Sequence, residues 1–173
     1  MLRAVLILIA VILLLVTAYV YYTVFWGGER LRSPEELAQT VLGNGSDEEK
    51  TRAALALADW AKFDRPPAKR EAAREQMRRV FRESRNPDVR AAMVQALGEL
   101  RDLDSVPELL KIVKNPAESE RMRGAAAVAI GDILQYRFRD YQANDPDRAR
   151  QQRAIQQMEK EYEAHKKRPP ESG

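Results

Sequence analysis

The order of apolar and polar residues divides the chain into one apolar N-terminal stretch and a series of amphipathic helices. Residues 4–26 contain no charged side chain. A helix of that length would rise roughly 34 Å, and a membrane hydrocarbon core is about 30 Å thick. Aromatic rings settle at membrane interfaces, and they collect at the C-terminal end of this stretch: Tyr19, Tyr21, Tyr22, Phe25 and Trp26. The pattern predicts a single transmembrane helix within residues 1–27 that contacts the lipid bilayer through residues 4–26.

A cleaved signal peptide is the alternative interpretation of this stretch, with Val16-Thr17-Ala18 as a small-residue cleavage site. The apolar run continues past that site into the aromatic belt, which favours an uncleaved anchor. Arg3 lies on one side of the span, and Arg30 and Arg32 lie on the other. The basic residues therefore slightly favour the cytoplasmic side for the domain that follows. The predicted location is the inner membrane of a bacterium, with a single pass.

Beyond Gly27-Gly28 the apolar spacing becomes that of short amphipathic helices. Ser33-Pro34 predicts the start of a helix that ends at Gly43-Asn44-Gly45, because Ser is a good N-cap and Pro suits the first helical position. Residues 28–45 are thus predicted to form a hinge and a short juxtamembrane helix. Further start signals follow at Ser46, Asn86, Ser105 and Asp145.

An internal repeat is the strongest organising feature of the remaining chain. The stretch 86–100 returns in altered form at 119–133. Three residue pairs share one offset of 33: Arg90 and Arg123, Ala96 and Ala129, and Gly98 and Gly131. Self-similarity at a period of about 20–50 residues predicts stacked helical units, because each unit buries its apolar face only against a neighbour.

These motifs resemble HEAT repeats of the short, lyase-like variety. The resemblance rests on Arg90…Ala96-Leu97-Gly98 followed by Ser-Val-Pro-Glu-Leu-Leu, and on the similar Arg123…Ala129-Ile130-Gly131. Residues 46–84 resemble a degenerate first copy, in which Arg52…Ala58 fits the pattern. The resemblance covers roughly residues 46–135 and implies an all-α solenoid of paired helices. HEAT repeats serve scaffolds, adaptors and a few enzymes, so it implies less about function.

The third copy departs from the pattern in its second half, where the offset of 33 places polar residues. The predicted solenoid therefore has about two and a half helical-hairpin repeats and spans residues 46–141. Residues 142–173 are predicted to form a polar helix and a disordered tail. Ile155, Met158 and Tyr162 give that helix a narrow apolar seam. It either caps the open end of the solenoid, binds a partner or frays.

Composition and charge serve mainly to exclude classes of function. The chain has no cysteine, one histidine (His165) and a net charge of +3, and it contains no phosphate-binding or hydrolase motif. We therefore predict no catalytic residue, no metal and no cofactor, and we expect neither nucleic acid nor a small-molecule substrate. The pair Asp59-Trp60 leaves a HEAT-like enzyme that acts on nucleic acid or a protein-bound pigment as the third interpretation.

A row of arginines four residues apart stands on the predicted helix 67–83. Like charges at this spacing disfavour an isolated helix, so the row is a candidate docking face for an acidic protein segment or anionic headgroups. The alternative is a solvated helix with local Arg–Glu pairs. If the units stack as predicted, lysines of the next repeat join the same face. The candidate residues are Lys69, Arg70, Arg74, Arg78, Arg82, Lys111 and Lys114.

Together these features predict a non-catalytic HEAT scaffold or adaptor that binds a protein partner at the membrane, as an assembly factor or accessory subunit. The second interpretation is a structural subunit of a large membrane complex, in which the transmembrane helix packs against other subunits.

Overall fold

The computed structural model describes residues 11–19, 32–62 and 66–167. Residues 11–19 are helical, and the two longer ranges contain seven α-helices and one 3-10 turn, Leu103–Ser105, with no strand. The helices are α1 (Pro34–Leu42), α2 (Asp47–Lys62), α3 (Pro67–Glu83), α4 (Pro87–Glu99), α5 (Val106–Lys114), α6 (Glu120–Leu134) and α7 (Arg148–Lys166). The all-α architecture expected from the repeats is present.

The predicted transmembrane helix is contradicted. Among the described residues, no helix is long and apolar enough to cross a membrane. This finding overturns the single-pass fold, the inner-membrane location and the inferred orientation. Of the predicted aromatic belt, Tyr19 is exposed, whereas Tyr21, Tyr22, Phe25 and Trp26 lie outside the described residues.

Side-chain caps fix where most of the helices begin. Ser33 and Glu36 form a reciprocal capping box at α1, with both hydrogen bonds at 3.2 Å. Asn86 Oδ1 accepts hydrogen bonds from the backbone of Asp88 and Val89 at the start of α4. The predicted cap at Ser105 is absent, because its hydroxyl donates to the Asp102 carbonyl while the 3-10 turn leads into α5. At each capped helix, the capping side chain accepts hydrogen bonds from backbone N–H groups of the first turn, which would otherwise lack partners.

The helices pack in two layers around one continuous core. Helices α2, α4 and α6 stack in one layer; in the other, α1 packs against α3 and α5 packs against α7. The largest side chains with almost no exposure come from both layers: Leu37, Leu57, Met77, Met93, Leu97, Leu109, Ile130, Ile133 and Met158. Helix α1 contributes Leu37, Ala38 and Val41 to this core.

Helix α7 completes the last repeat. It packs against both α5 and α6, and Ala154, Ile155 and Met158 on its seam are buried, while Tyr162 is half-buried. This is the position that a second helix of the third repeat would take. A connection of residues 135–147 separates it from α6, which explains why the offset of 33 fails there.

Candidate interaction surfaces

The arginine row on α3 divides into Arg78 and Arg82, which pair with carboxylates of the following repeat, and Arg70 and Arg74, which do not. Arg78 retains only 11% of its side-chain exposure, and Asp102, in the turn after α4, retains 3%. Arg78 Nη1 lies 2.7 Å from Asp102 Oδ1, and its Nη2 lies 2.8 Å from Glu71 Oε1. Burial acts to lower the pKa of Arg78, but the hydrogen bond to Glu71 and the charge of Asp102 outweigh it and raise that pKa. Burial raises the pKa of Asp102, and the Arg78 charge opposes that rise. Arg78 thus joins α3 to the next repeat.

Two more of the predicted docking cations are also used between helices. Arg82 on α3 pairs with Glu108 on α5 at 3.1 Å. Lys114 on α5 pairs with Glu159 on α7. Lys111 lies exposed in a cleft of about 360 Å³ beside Glu159 and other residues of α7. The two lysines therefore lie beside α7 and acidic side chains.

The first half of α3 carries the cations that remain. Lys69 and Arg70 are exposed, and neither forms an ion pair with any residue that the structure describes. Arg74 is 30% exposed, and its closest carboxylate oxygen, on Glu71, lies 3.8 Å away. Arg70 and Arg74 flank a shallow cleft of about 380 Å³. We refer to Lys69, Arg70 and Arg74 as the α3 patch.

A second surface, formed by residues outside the predicted docking face, lies at the end of the solenoid. A groove of about 720 Å³ runs between the outer face of α6 and the connection that follows it. Gly124, Ala127, Val128 and Gly131 form its floor. Its walls carry three arginines and three aromatic residues: Arg101, Arg137, Arg139, Tyr136, Phe138 and Tyr141. We call this the α6 groove. The alternation of aromatic and basic residues over 136–141 is the sequence feature that could have indicated this groove.

The connection 135–143 is held in place by specific contacts. Gln135 ends α6 in the left-handed conformation, with φ 52°. Arg123 Nη2 donates to the Ala143 carbonyl at 2.8 Å, and Gln151 Nε2 donates to the Gln142 carbonyl at 3.2 Å. Burial raises the pKa of Tyr141, and the charge of Arg123 opposes that rise. These contacts therefore fix the position of the segment that forms the wall of the groove.

Trp60 and His165, the two side chains of the sequence that suggested chemistry, both lie in the helical packing of the solenoid. The Trp60 side chain packs against the hydrophobic core, which gives the Asp59-Trp60 pair a structural use. His165 lies half-buried on α7. Within the described ranges, no group of three or more His, Asp or Glu side chains is placed to hold a metal ion.

Comparison with known proteins identifies the repeats. A family profile described as HEAT repeats matches residues 34–131 and, in an overlapping second match, residues 75–159. The first match begins at α1, and the second extends into α7. Searches of curated proteins and of solved structures found no match. Because the profile covers well over half of the chain, this protein belongs to the HEAT-repeat family.

Proposed function

We propose that this protein is a non-catalytic scaffold that binds an acidic segment of a protein partner on the α3 patch. Short HEAT solenoids present helix faces as recognition surfaces, and their stacked units give those faces a fixed spacing. The α3 patch offers three cations along two turns of one helix.

The observation that carries the proposal is the division of the arginine row. Arg78 and Arg82 have carboxylate partners on the following repeat, so their charges are explained by the fold. Lys69 and Arg70 have no such partner among the described residues, and Arg74 has only a distant one. Arg70 is exposed, and guanidinium groups bind carboxylates through paired hydrogen bonds.

Charge reversal on the patch tests this function. The full chain carrying Lys69→Glu and Arg70→Glu is used as bait in its own host, beside the wild type. The control carries Arg153→Glu and Lys160→Glu, which reverse two exposed charges on α7. We expect the patch variant to capture one or more partners at a level at least about tenfold below that of the wild type, equivalent to a loss of roughly 1.4 kcal/mol in binding free energy. The control should capture the same partners at the wild-type level.

Salt dependence separates this function from non-specific capture. Attraction between exposed charges is screened over about 8 Å at physiological ionic strength and over about 3 Å at 1 M. Partners bound by the patch should therefore dissociate as salt rises. An unchanged set of partners for the patch variant, at every salt concentration, would refute the proposal.

A further inference from the structure

We propose that the α6 groove is a second binding site, independent of the α3 patch, and that its ligand is an acidic amphipathic helix of a partner protein. The groove is a fixed cavity that combines an apolar floor with a basic rim. Its place in the repeat array indicates the shape of the ligand, and its charge indicates the ligand's chemistry.

The floor of the groove corresponds to a face that already binds a helix in the preceding repeat. Gly98 on α4 lies against α6, and a Cβ added there would lie 2.9 Å from Ala129 Cα. Gly131 is the equivalent of Gly98 at the offset of 33. The α4 face thus packs closely on a helix because it lacks a side chain at this point. The same face of α6 is the floor of the groove.

The connection after α6 covers only one end of this floor. A Cβ added at Gly131 would lie 2.8 Å from the Tyr136 carbonyl oxygen, so the chain already covers that end. Two turns earlier, a Cβ added at Gly124 would meet nothing within 4 Å. Val128, between the two glycines, is 65% exposed. The open part of the floor therefore has small and aliphatic residues where another helix would stack.

The rim of the groove selects for negative charge. Arg101, Arg137 and Arg139 line the cavity, and none of them forms an ion pair with residues of 32–62 or 66–167. Asp132 is the carboxylate in the lining. Three guanidinium groups around one carboxylate leave the rim positive. Glu or Asp residues on the flanks of an incoming helix would complement it.

The aromatic residues favour a protein ligand over a nucleic acid. Bases bind by stacking on free aromatic faces. Here the Tyr136 and Phe138 rings pack against each other, with centroids 4.8 Å apart and planes at 42°. Phe138 also packs against the core. These rings form a wall of the groove rather than a series of stacking platforms.

A selection with displayed peptides tests the site. Helical peptides of about 18 residues, with a fixed apolar stripe and random charges elsewhere, are selected on the full chain. Individual peptides are then titrated by fluorescence anisotropy. We expect the enriched peptides to be acidic. We also expect their Kd to rise at least about tenfold for Gly124→Leu, which fills the open floor, and for Arg137→Glu with Arg139→Glu.

Three control variants make the result decisive. Lys160→Leu adds an apolar side chain outside the groove, and Arg153→Glu with Lys160→Glu repeats the charge change on α7; both should bind as the wild type does. The α3 patch variant should also bind normally, so that failure here and failure of the proposed function are distinguishable. Thermal unfolding of Gly124→Leu should show no loss of stability, because the added side chain enters open space.

Several outcomes would overturn the proposal. These are the absence of enriched peptides, enrichment of basic or neutral ones, and equal binding to Gly124→Leu. A single-stranded oligonucleotide that binds with the same dependence on the variants, where peptides do not, would assign the groove to nucleic acid. Self-association that Gly124→Leu abolishes, measured by sedimentation, would assign it to a second copy of this chain.

Discussion

Arg78 has a different role in the fold from the one that its spacing in the sequence predicts. On α3 it is one of four arginines at equal spacing, yet it is the one that contacts the buried Asp102. A buried ion pair gains little over apolar residues of the same size, but removing one partner leaves an uncompensated charge. The pair therefore matters for stability mainly because neither member can be lost alone.

Replacing Arg78 by Met keeps the aliphatic volume and removes the charge. We expect the free energy of unfolding at pH 7 to fall by about 3 kcal/mol, measured by urea denaturation. Arg82→Met removes an exposed pair and should cost less than about 1 kcal/mol. Equal losses for the two variants would contradict the distinction between the buried ion pair of Arg78 and the exposed ion pair of Arg82.

The pH dependence of Arg78→Met follows from the carboxylate that is left behind. Burial without a counter-charge holds the folded pKa of Asp102 above its unfolded value of about 3.9. A group of this kind stabilises the fold below the unfolded pKa and loses that contribution as pH rises through the folded pKa. The deficit of the variant relative to the wild type should therefore be smaller at pH 4 than at pH 7. A deficit that is independent of pH would contradict this assignment.

At the scale of helices, glycines set how closely neighbouring units approach. Gly98 allows the backbones of α4 and α6 to come together, whereas Gly124 in the middle of α6 has open space beside it. Glycine inside a helix costs about 1 kcal/mol relative to alanine. At Gly98, close packing of α4 on α6 offsets that cost. At Gly124, no neighbour within the described structure packs closely enough to offset it.

The two glycines should respond in opposite ways to the same substitution. Gly98→Ala forces a methyl group against α6, and we expect it to lower the free energy of unfolding by about 1–3 kcal/mol. Gly124→Ala gains helix propensity without a clash and should raise it by about 1 kcal/mol. Thermal and urea unfolding of both variants provide the measurement. Destabilisation by Gly124→Ala would show that the α6 face is not open in solution.

The repeat pattern predicted some helices well and others poorly, for physical reasons. The offset of 33 located α4 and α6 because both helices bury the same face in the same way. It could not place α7, since residues 135–147 lengthen the connection and disturb the register. The arginine spacing was visible in the sequence, but Asp102 lies 24 residues from Arg78. Only the fold brings those two together. The predicted membrane span rested on an uncharged apolar run and its aromatic belt, and no helix among the described residues is long and apolar enough to cross a membrane.

At the scale of the whole molecule, one core links α1 to α7. Each of the helices α1 to α7 contributes buried residues to this core and packs against at least one other of the seven. Solenoids of many repeats lose cooperativity because contacts are only between neighbours. Within the described array, α1 and α7 are only a few helices apart. We therefore expect the end helices to influence the stability of the entire domain.

Met158→Ala tests that expectation at the C-terminal end. Met158 on α7 is fully buried, and truncation of such a side chain costs about 3 kcal/mol. The loss should appear in a single cooperative transition followed by circular dichroism. Lys160→Ala, on the exposed side of the same helix, should change stability by less than about 0.5 kcal/mol. A frayed or detached α7 would instead make both substitutions neutral.

The connection after α6 has a consequence for how this array could change in length. Arg90 and Arg123 are equivalent by the offset of 33, but their contacts differ: Arg90 on α4 pairs with Glu118, in the segment between α5 and α6, whereas Arg123 on α6 donates to the Ala143 carbonyl, in the segment between α6 and α7. Gly98 and Gly131 are equivalent as well, yet Gly131 meets Tyr136 instead of a helix. The 136–138 segment thus acts as a terminator. A repeat inserted upstream of α6 should therefore leave this segment and its contact with Gly131 undisturbed, whereas one inserted directly after α6 would require the segment to be removed.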